Sequence, residues 1–299
     1  MRLSHILLGL LLTAIWGFNF VVLKVALHDV PPILLTALRF VFSCLPVLFL
    51  PKPPGMRVSD MVIVGMTTFC GQYVFLFLAM ALGMPAGLSS VTLQLQVFLT
   101  IFYAVIFLGE RPKPRQLIGG AVALAGLGLI AATVGAGTSI PAIAMVFIVL
   151  SAATWAYGNM TVRKAGPTAQ FGTLAGVAWA CLVPVIPAFL LSLIFEGVDS
   201  WALAWAHLQW ITVAALAFVV VFSTWAGFAM WGKLLSTYSA SVAAPFALLV
   251  PVFGGRSADL FLGETLSPQR LLGSLLILGG LAIILLPLHL FFARKPVEP

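Results

Sequence analysis

Side chains that can hydrogen-bond a small solute lie inside long apolar stretches of this sequence. Trp16 and Asn19 are about one helical turn apart, and Trp155 and Asn159 repeat this combination in the second half of the chain. Indole and amide groups hydrogen-bond readily but supply neither a nucleophile nor a base. In hydrocarbon such groups must find partners, so we expect them to face the protein interior or a wet cavity. The chemistry that this pattern indicates is the binding of a solute.

Further polar and aromatic side chains lie near the centres of other apolar stretches. Each alone is compatible with packing or an interhelical hydrogen bond. Together they come from both halves of the chain, which favours a pocket for a zwitterion with an apolar or aromatic side chain. Gln94 and Gln96 point about 200° apart on a helix, so at most one of them should line a given cavity. The candidate substrate-binding residues are Trp16, Asn19, Gln72, Tyr73, Gln94, Trp155, Tyr157, Asn159 and Ser223.

Catalytic and metal-binding constellations are not found in the sequence. The three cysteines lie in apolar segments without metal-ligand spacing, and the four histidines stand near the ends of such segments. The stretch "GFAMWGKL" (227–234) resembles a phosphate-binding loop, but Leu234 replaces the required Ser or Thr and the stretch is apolar. We therefore predict that the protein is not an enzyme and has no catalytic residues, metal or cofactor.

Composition predicts an integral membrane protein. Apolar residues make up 62% of the chain and charged residues only 8%, whereas soluble domains carry about 25% charged residues. The formal net charge is +7, but the basic residues stand at the ends of apolar runs rather than in a patch with interleaved aromatics. We therefore expect the lipid bilayer, and not nucleic acid, to be the partner of this surface.

Ten apolar segments are long enough for transmembrane helices, which need about 20 residues each. None alternates as a β-barrel strand does, so the predicted fold is all-α. The segments are roughly 6–27, 31–50, 59–82, 86–108, 115–134, 140–162, 169–194, 208–232, 238–262 and 269–292.

The distribution of Lys and Arg predicts the orientation in the membrane. With the N-terminus inside, the inner segments hold eleven of these residues and the outer segments only two. Lys and Arg accumulate on the cytoplasmic side of membrane proteins. We predict a multi-pass protein of the inner (plasma) membrane with both termini in the cytoplasm.

One motif occurs twice, as "IFLGERPKPRQLIGG" (106–120) and "LFLGETLSPQRLLGS" (260–274). Its glutamates, Glu110 and Glu264, close the fourth and ninth predicted spans, so the repeated unit has five helices. Because five is odd, the second copy must cross the membrane in the opposite direction. We expect two inverted repeats, 1–135 and 136–299, within one integral membrane unit.

An inverted duplication favours transport. Two similar halves related by an axis in the membrane plane can exchange conformations, and secondary transporters bind their solutes near the midplane between such halves. The predicted mechanism is alternating access.

Three charged residues are candidates for structural or coupling roles, namely Arg39, Glu110 and Glu264. Arg39 lies well inside the second span, where a helix-end carbonyl or a substrate carboxylate could satisfy it. The glutamates could cap the free amide groups of the helix that follows each of them. Two more charges, Arg256 and Asp259, are three residues apart within the ninth span, so they could pair. They are functional residues, a local variant or engineered changes.

The sequence resembles the EamA-type ten-helix carriers of the drug/metabolite transporter superfamily, most closely the YddG-type amino-acid exporters. The resemblance covers essentially the whole chain and rests on "LTAIWGFNFVVLKVAL" (12–27), "PPILLTALRF" (31–40) and the two "FLGE" motifs. It departs from the family at Val97, where a proline is usual in the fourth helix; the ninth helix keeps its proline as Pro251.

The resemblance implies an exporter or facilitator of amino acids, including aromatic or apolar ones, and of related small metabolites. A proton-coupled efflux carrier for drugs or other metabolites is the alternative, but apart from Asp259 no acidic residue lies in the middle of a span. The fifth and tenth spans are rich in small residues, which allow close helix contacts. They are either peripheral supports of a monomer or the surfaces of a homodimer.

Overall fold

The computed structural model describes residues 2–109, 111–112, 114–133, 140–237, 246, 249–265 and 267–285. Within these ranges the fold is all-helical without strands, and a helix lies in each of the ten predicted segments. In chain order they are α1 (Leu3–Asp29), α2 (Pro32–Ser43), α3 (Val58–Ala81), α4 (Ala86–Leu108), α5 (Pro114–Ala131), α6 (Ala142–Ala165), α7 (Leu174–Phe195), α8 (Trp210–Trp231, continuing to Thr237), α9 (Leu249–Leu262) and α10 (Pro268–Leu285). A shorter helix, Gly197–Ala206, joins α7 to α8 and is called the connecting helix.

Seven of these helices, α1 and α3 to α8, are long and apolar enough to cross a membrane. The helix α2 with the following 3₁₀ turn, together Pro32–Leu48, is apolar but shorter. The chain is therefore a multi-pass membrane protein, while the count of ten spans stays a prediction.

Several helices are interrupted where the sequence pattern predicts continuity. π-Helical segments occupy Gly65–Gly71 in α3 and Val219–Ala226 in α8, the third helix of each half. A turn at Leu93 and Gln94 divides α4, although no proline follows at Val97. Another turn precedes Val185 in α7, where Pro184 supplies no backbone donor. π-Bulges occur often at functional sites, so we expect a functional cavity near these interruptions.

A glycine lets α1 and α9 approach closely near the middle of α1. A Cβ atom at Gly17 would lie 2.5 Å from Phe253 Cβ and 2.8 Å from the carbonyl oxygen of Val250. Such spacing leaves no room for a side chain, and it fixes the height of α1 relative to α9.

The small residues of α5 and α10 mainly serve contact between these two helices. These two helices pack against each other more extensively than α1 packs against α9. A Cβ atom at Gly126 would lie 2.6 Å from the carbonyl oxygen of Gly273, and one at Gly280 only 2.4 Å from that of Gly119. The predicted supporting role agrees with this packing, and a homodimer through these helices stays a prediction.

The glycine of the repeated motif ends a helix in each half. Gly109 follows α4 with a φ of +66° and Gly263 follows α9 with a φ of +64°, a left-handed conformation that glycine adopts without strain. After α9 the N–H of Glu264 returns to the carbonyl of Ala258 at 3.2 Å, which closes the helix end. The motif is thus a helix terminator, and its acidic residue is the first one beyond the turn.

Candidate functional site

A central cavity of about 290 Å³ lies between helices of both halves. Eight of the nine candidate binding residues line it: Trp16, Asn19, Gln72, Tyr73, Gln94, Trp155, Asn159 and Ser223. The other lining residues are Phe20, Leu76, Leu93, Gln96, Phe228, Trp231 and Val250. The wall is therefore a mixture of aromatic, aliphatic and neutral polar side chains, contributed by α1, α3, α4, α6, α8 and α9.

The interrupted helices supply polar groups to this wall. The indole Nε1 of Trp16 donates to the carbonyl of Ser223 at 3.0 Å, within the π segment of α8. The hydroxyl of Ser151 donates to the carbonyl of Gln72 at 2.7 Å, next to the π segment of α3. Helix irregularities thus free backbone acceptors, which side chains of neighbouring helices satisfy.

Amide side chains meet at the α4–α6 side of the cavity. Asn159 Nδ2 donates to Gln96 Oε1 at 2.7 Å and lies 3.5 Å from the hydroxyl of Thr100. On α1, Asn19 is buried and its Oδ1 has no hydrogen-bond partner among the described residues. A buried acceptor without a partner lowers the stability of the solute-free protein. Such an acceptor is suited to a solute that brings a hydrogen-bond donor.

The expectation that only one of Gln94 and Gln96 could line a cavity is wrong. Both do. The 200° separation assumed a regular helix, whereas the turn at Leu93 and Gln94 places the two glutamines on either side of an interruption. Gln94 precedes the second part of α4 and Gln96 lies in its first turn.

Tyr157 does not reach the cavity. Its ring packs edge-on against Tyr103 and Phe107, with centroids 5.7 Å from each. Trp155 and Tyr157 are two residues apart on the regular helix α6, so they point in nearly opposite directions. The prediction that both line the site is wrong for Tyr157.

Arg39 is buried directly behind the cavity wall. Its Nη2 donates to the hydroxyl of Tyr73 at 3.1 Å and to that of Thr224 at 3.2 Å. The guanidinium also lies over the Tyr73 ring, 3.8 Å from the ring centroid. Neither a helix-end carbonyl nor a carboxylate is among its described partners.

Glu264 caps a helix, but not the one that the sequence suggests. Its two carboxylate oxygens accept from the N–H groups of Ala86 and Gly87, at 3.0 and 3.1 Å. These residues begin α4, whereas the expected partner was the start of α10. The left-handed turn at Gly263 directs the chain back across the end of the bundle, so α4 is within reach. Glu110 lies outside the described residues.

Two further carboxylates hold helix starts at the same end of the bundle. Glu196 accepts from the N–H groups of Ile33 and Leu34 at 2.6 and 2.9 Å, at the beginning of α2. Asp29 accepts from the hydroxyl of Thr212 and the N–H of Gln209, at the beginning of α8. Negative charge at a helix N-terminus is favourable because it meets free N–H groups and the positive end of the dipole.

We call this end of the bundle, with the connections at 30–31, 82–85, 196–209 and 263–267, the capped end. Three carboxylates at this end, those of Asp29, Glu196 and Glu264, join the first half of the chain to the second. Sequence reasoning missed Glu196 and Asp29 because neither belongs to a repeated motif.

Arg256 and Asp259 pair as predicted, at 2.8 Å, on the outer surface of α9. They are 68% and 46% exposed, so they take no part in the cavity. The lining residues that the sequence did not single out are mostly apolar. Trp231 could have been found from its spacing, because it lies about two helical turns after Ser223 on the same helix.

Helices with the length and composition of membrane spans, surrounding a cavity with neutral polar and aromatic walls, are the arrangement expected of a membrane carrier of small solutes. The chain belongs to the EamA-like transporter family, whose model matches residues 3–132 and again residues 142–286. The family assignment predicted from the sequence is therefore confirmed.

Two curated relatives are similar to this protein over most of its length. A "Probable amino-acid metabolite efflux pump" of Salmonella typhimurium is 38% identical over 278 residues, covering 92% of this chain and 93% of that protein. A protein of Escherichia coli with the same description is 36% identical over 277 residues, with the same coverage. A crystal structure of another protein shares the fold with a TM-score of 0.61 at 20% identity, covering 95% of this chain and 97% of that one.

Proposed function

We propose that this protein exports amino acids, including aromatic and apolar ones, and related small metabolites across the inner membrane. The central cavity carries the proposal. Its neutral amides suit the amino and carboxylate groups of a zwitterion, and its tryptophans and phenylalanines suit an apolar side chain. The volume of about 290 Å³ lies at the lower limit for drug-sized ligands, which favours a solute of the size of one amino acid.

The proposed mechanism is alternating access between two inverted five-helix halves. Glu264 follows α9 and touches the first residues of α4, so the two copies of the motif end at opposite ends of the bundle. This arrangement supports the inversion. The π segments in the third helix of each half support the duplication.

The capped end is the closed side of the cavity in this mechanism. Toward it α1, α3 and α4 contribute fully buried apolar side chains, among them Leu23, Phe77, Met80 and Leu88. Lining residues further from that end, such as Asn159 and Phe228, are partly exposed. For the cavity to open at the capped end, the contacts that Asp29, Glu196 and Glu264 make between the two halves must break.

Counterflow in liposomes tests the function. Liposomes that contain the purified protein and are loaded with an unlabelled amino acid should accumulate labelled aromatic and apolar amino acids. The accumulation should be lower when Asn19 or Asn159 is replaced by Ala. Tyr157→Phe is the matched control, because Tyr157 packs outside the cavity. Wild-type vesicles that accumulate none of a panel of labelled amino acids contradict the proposed function, and unchanged flux in both Ala variants removes those residues from the site.

Coupling to protons is the alternative within transport. None of the fifteen lining residues is acidic or a histidine, so we propose movement driven by the solute gradient alone. Vesicles with and without an imposed pH gradient should show equal initial rates. Flux that disappears when the gradient is collapsed supports the proton-coupled alternative instead.

A further inference from the structure

Arg39 carries a buried charge with no anionic partner among the described residues. The side chain is 1% exposed on α2, and Nε and Nη1 are both buried without a hydrogen-bond partner among the described residues. Its described hydrogen-bond partners are two neutral hydroxyls. Burying a guanidinium in this way is costly, because the charge loses its hydration without gaining an anion.

The charge is adjacent to the cavity through one residue. Tyr73 lines the cavity, and the guanidinium carbon of Arg39 lies 3.8 Å from the centre of its ring. The Tyr73 hydroxyl accepts from Arg39 Nη2, so its own proton remains free to be donated. Arg39 therefore orients a donor that belongs to the cavity wall.

A purely structural role does not require this charge. Nη2 joins α2 to Tyr73 of α3 and to Thr224 in the π segment of α8, and a neutral amide could make the same bonds. Two unsatisfied nitrogens remain unexplained by such a role. None of the fifteen lining side chains is charged near neutral pH, so Arg39 supplies the positive charge nearest to Tyr73 in the described part of the chain.

We propose that Arg39 is a specificity-determining residue that makes the cavity prefer solutes with a carboxylate over otherwise identical solutes without one. It acts through its charge and through the hydroxyl of Tyr73. This inference rests on the proposed function and names the chemical group that the site selects. A fixed charge in the poorly polarisable protein interior acts on an anion across several ångströms, whereas water would screen it.

A matched pair of solutes tests the inference, namely phenylalanine and phenylalaninamide, which differ in the carboxylate. Binding is measured by the fluorescence of the cavity tryptophans in detergent, and transport by counterflow. Wild-type protein should bind the acid roughly tenfold more tightly than the amide, as expected for one charge acting over a few ångströms. Arg39→Met should bring the two affinities close to each other. It should lower the affinity for the acid and leave the affinity for the amide unchanged or higher.

Three further variants separate charge from structure. Arg39→Lys keeps the charge and should retain most of the preference. Tyr73→Phe removes only the hydroxyl and should lower the acid-to-amide ratio several-fold, which decides the question if Arg39→Met does not fold. Arg270→Met removes another arginine, one that bonds Thr133 beside α5, and should leave the ratio unchanged.

Each outcome supports or overturns the inference. A ratio that stays the same in both Arg39→Met and Tyr73→Phe, or affinities for acid and amide that fall equally, overturns it and assigns Arg39 to structure. Wild-type protein that transports both solutes equally well overturns it while leaving the proposed function intact. Wild-type protein that neither binds nor transports either solute overturns the inference, and it overturns the proposed function as well if no other amino acid of the panel is transported.

Discussion

Asn19 combines a place in the cavity wall with a buried acceptor that has no partner among the described residues. Its Oδ1 is buried at the cavity and unpaired among the described residues, and leaving such an acceptor unmet costs about 1–3 kcal/mol. We expect Asn19→Leu, which is apolar and has the same branched shape, to leave the unfolding temperature in detergent unchanged or higher. The same change should lower the affinity for the solute at least roughly tenfold, the effect of losing one hydrogen bond to a charged group.

Thermal unfolding and counterflow, measured on the same preparation, check this prediction. Asn159→Leu is the comparison, because Asn159 already donates to Gln96 and its loss leaves that acceptor unpaired. It should therefore destabilise the protein, unlike Asn19→Leu. If Asn19→Leu unfolds earlier but binds normally, Asn19 is a packing residue.

At the scale of elements, the contact between α1 and α9 depends on a glycine. Gly17→Ala would put a methyl group 2.7 Å from the backbone nitrogen of Gly254 and 2.8 Å from the carbonyl of Val250. Because these are backbone atoms, the helices must separate, at a cost of about 1–3 kcal/mol. We expect a lower unfolding temperature and also a lower flux, since Trp16 and Asn19 move with α1.

Gly128→Ala is the matched control on α5. A Cβ atom at Gly128 has open space around it, and alanine favours a helix more than glycine does, by about 1 kcal/mol. The control should therefore be neutral or slightly stabilising with normal flux. Equal unfolding temperatures for the two variants would contradict the assigned contact.

Helix starts at the capped end depend on carboxylates that the sequence could only partly indicate. Glu264 belongs to a repeated motif and was recognisable, but its partner lies 178 residues earlier in the chain. We expect Glu264→Gln, which keeps one acceptor and loses the charge, to weaken the hold on α4 and favour the state open at this end. A cysteine at Phe20, in a background without native cysteines, should then react several-fold faster with an impermeant maleimide from the capped side.

Glu196→Gln should act in the same direction through α2, while Asp199→Asn on the exposed part of the connecting helix should not. If the cysteine at position 20 is labelled equally fast in the Glu264→Gln, Glu196→Gln and Asp199→Asn variants, the capped end is not the closed side.

The elements also show where sequence reasoning ends. Apolar length placed a helix in each of the ten predicted segments, because the bilayer requires such lengths, but α2 ends at Ser43 rather than near residue 50. The predicted start of the ninth span and the predicted end of the tenth lie outside the described residues. It did not place the interruptions in α3 and α8, because these depend on neighbours: a Cβ atom at Gly158 would lie 1.8 Å from Thr68 Oγ1 in the π segment of α3. Residue type and position in the spans identified eight of the lining residues. The interpretation failed at Gln96 because α4 is not the regular helix that was assumed. It failed at Tyr157 because this residue lies on the face of α6 away from the cavity.

At the scale of the whole molecule, the contact of Glu264 with the start of α4 argues for inverted halves. A helix pair in which the end of α9 meets the beginning of α4 is antiparallel, so the residues after the two motif copies belong to opposite ends. Single cysteines at Arg111 and Thr265, both exposed, should therefore be labelled from opposite sides of the membrane in intact cells. The Lys and Arg distribution predicts that Arg111 lies in the cytoplasm and Thr265 outside. Labelling of both from one side would remove the inverted relation, and with it the physical basis for a cavity that opens alternately to either compartment.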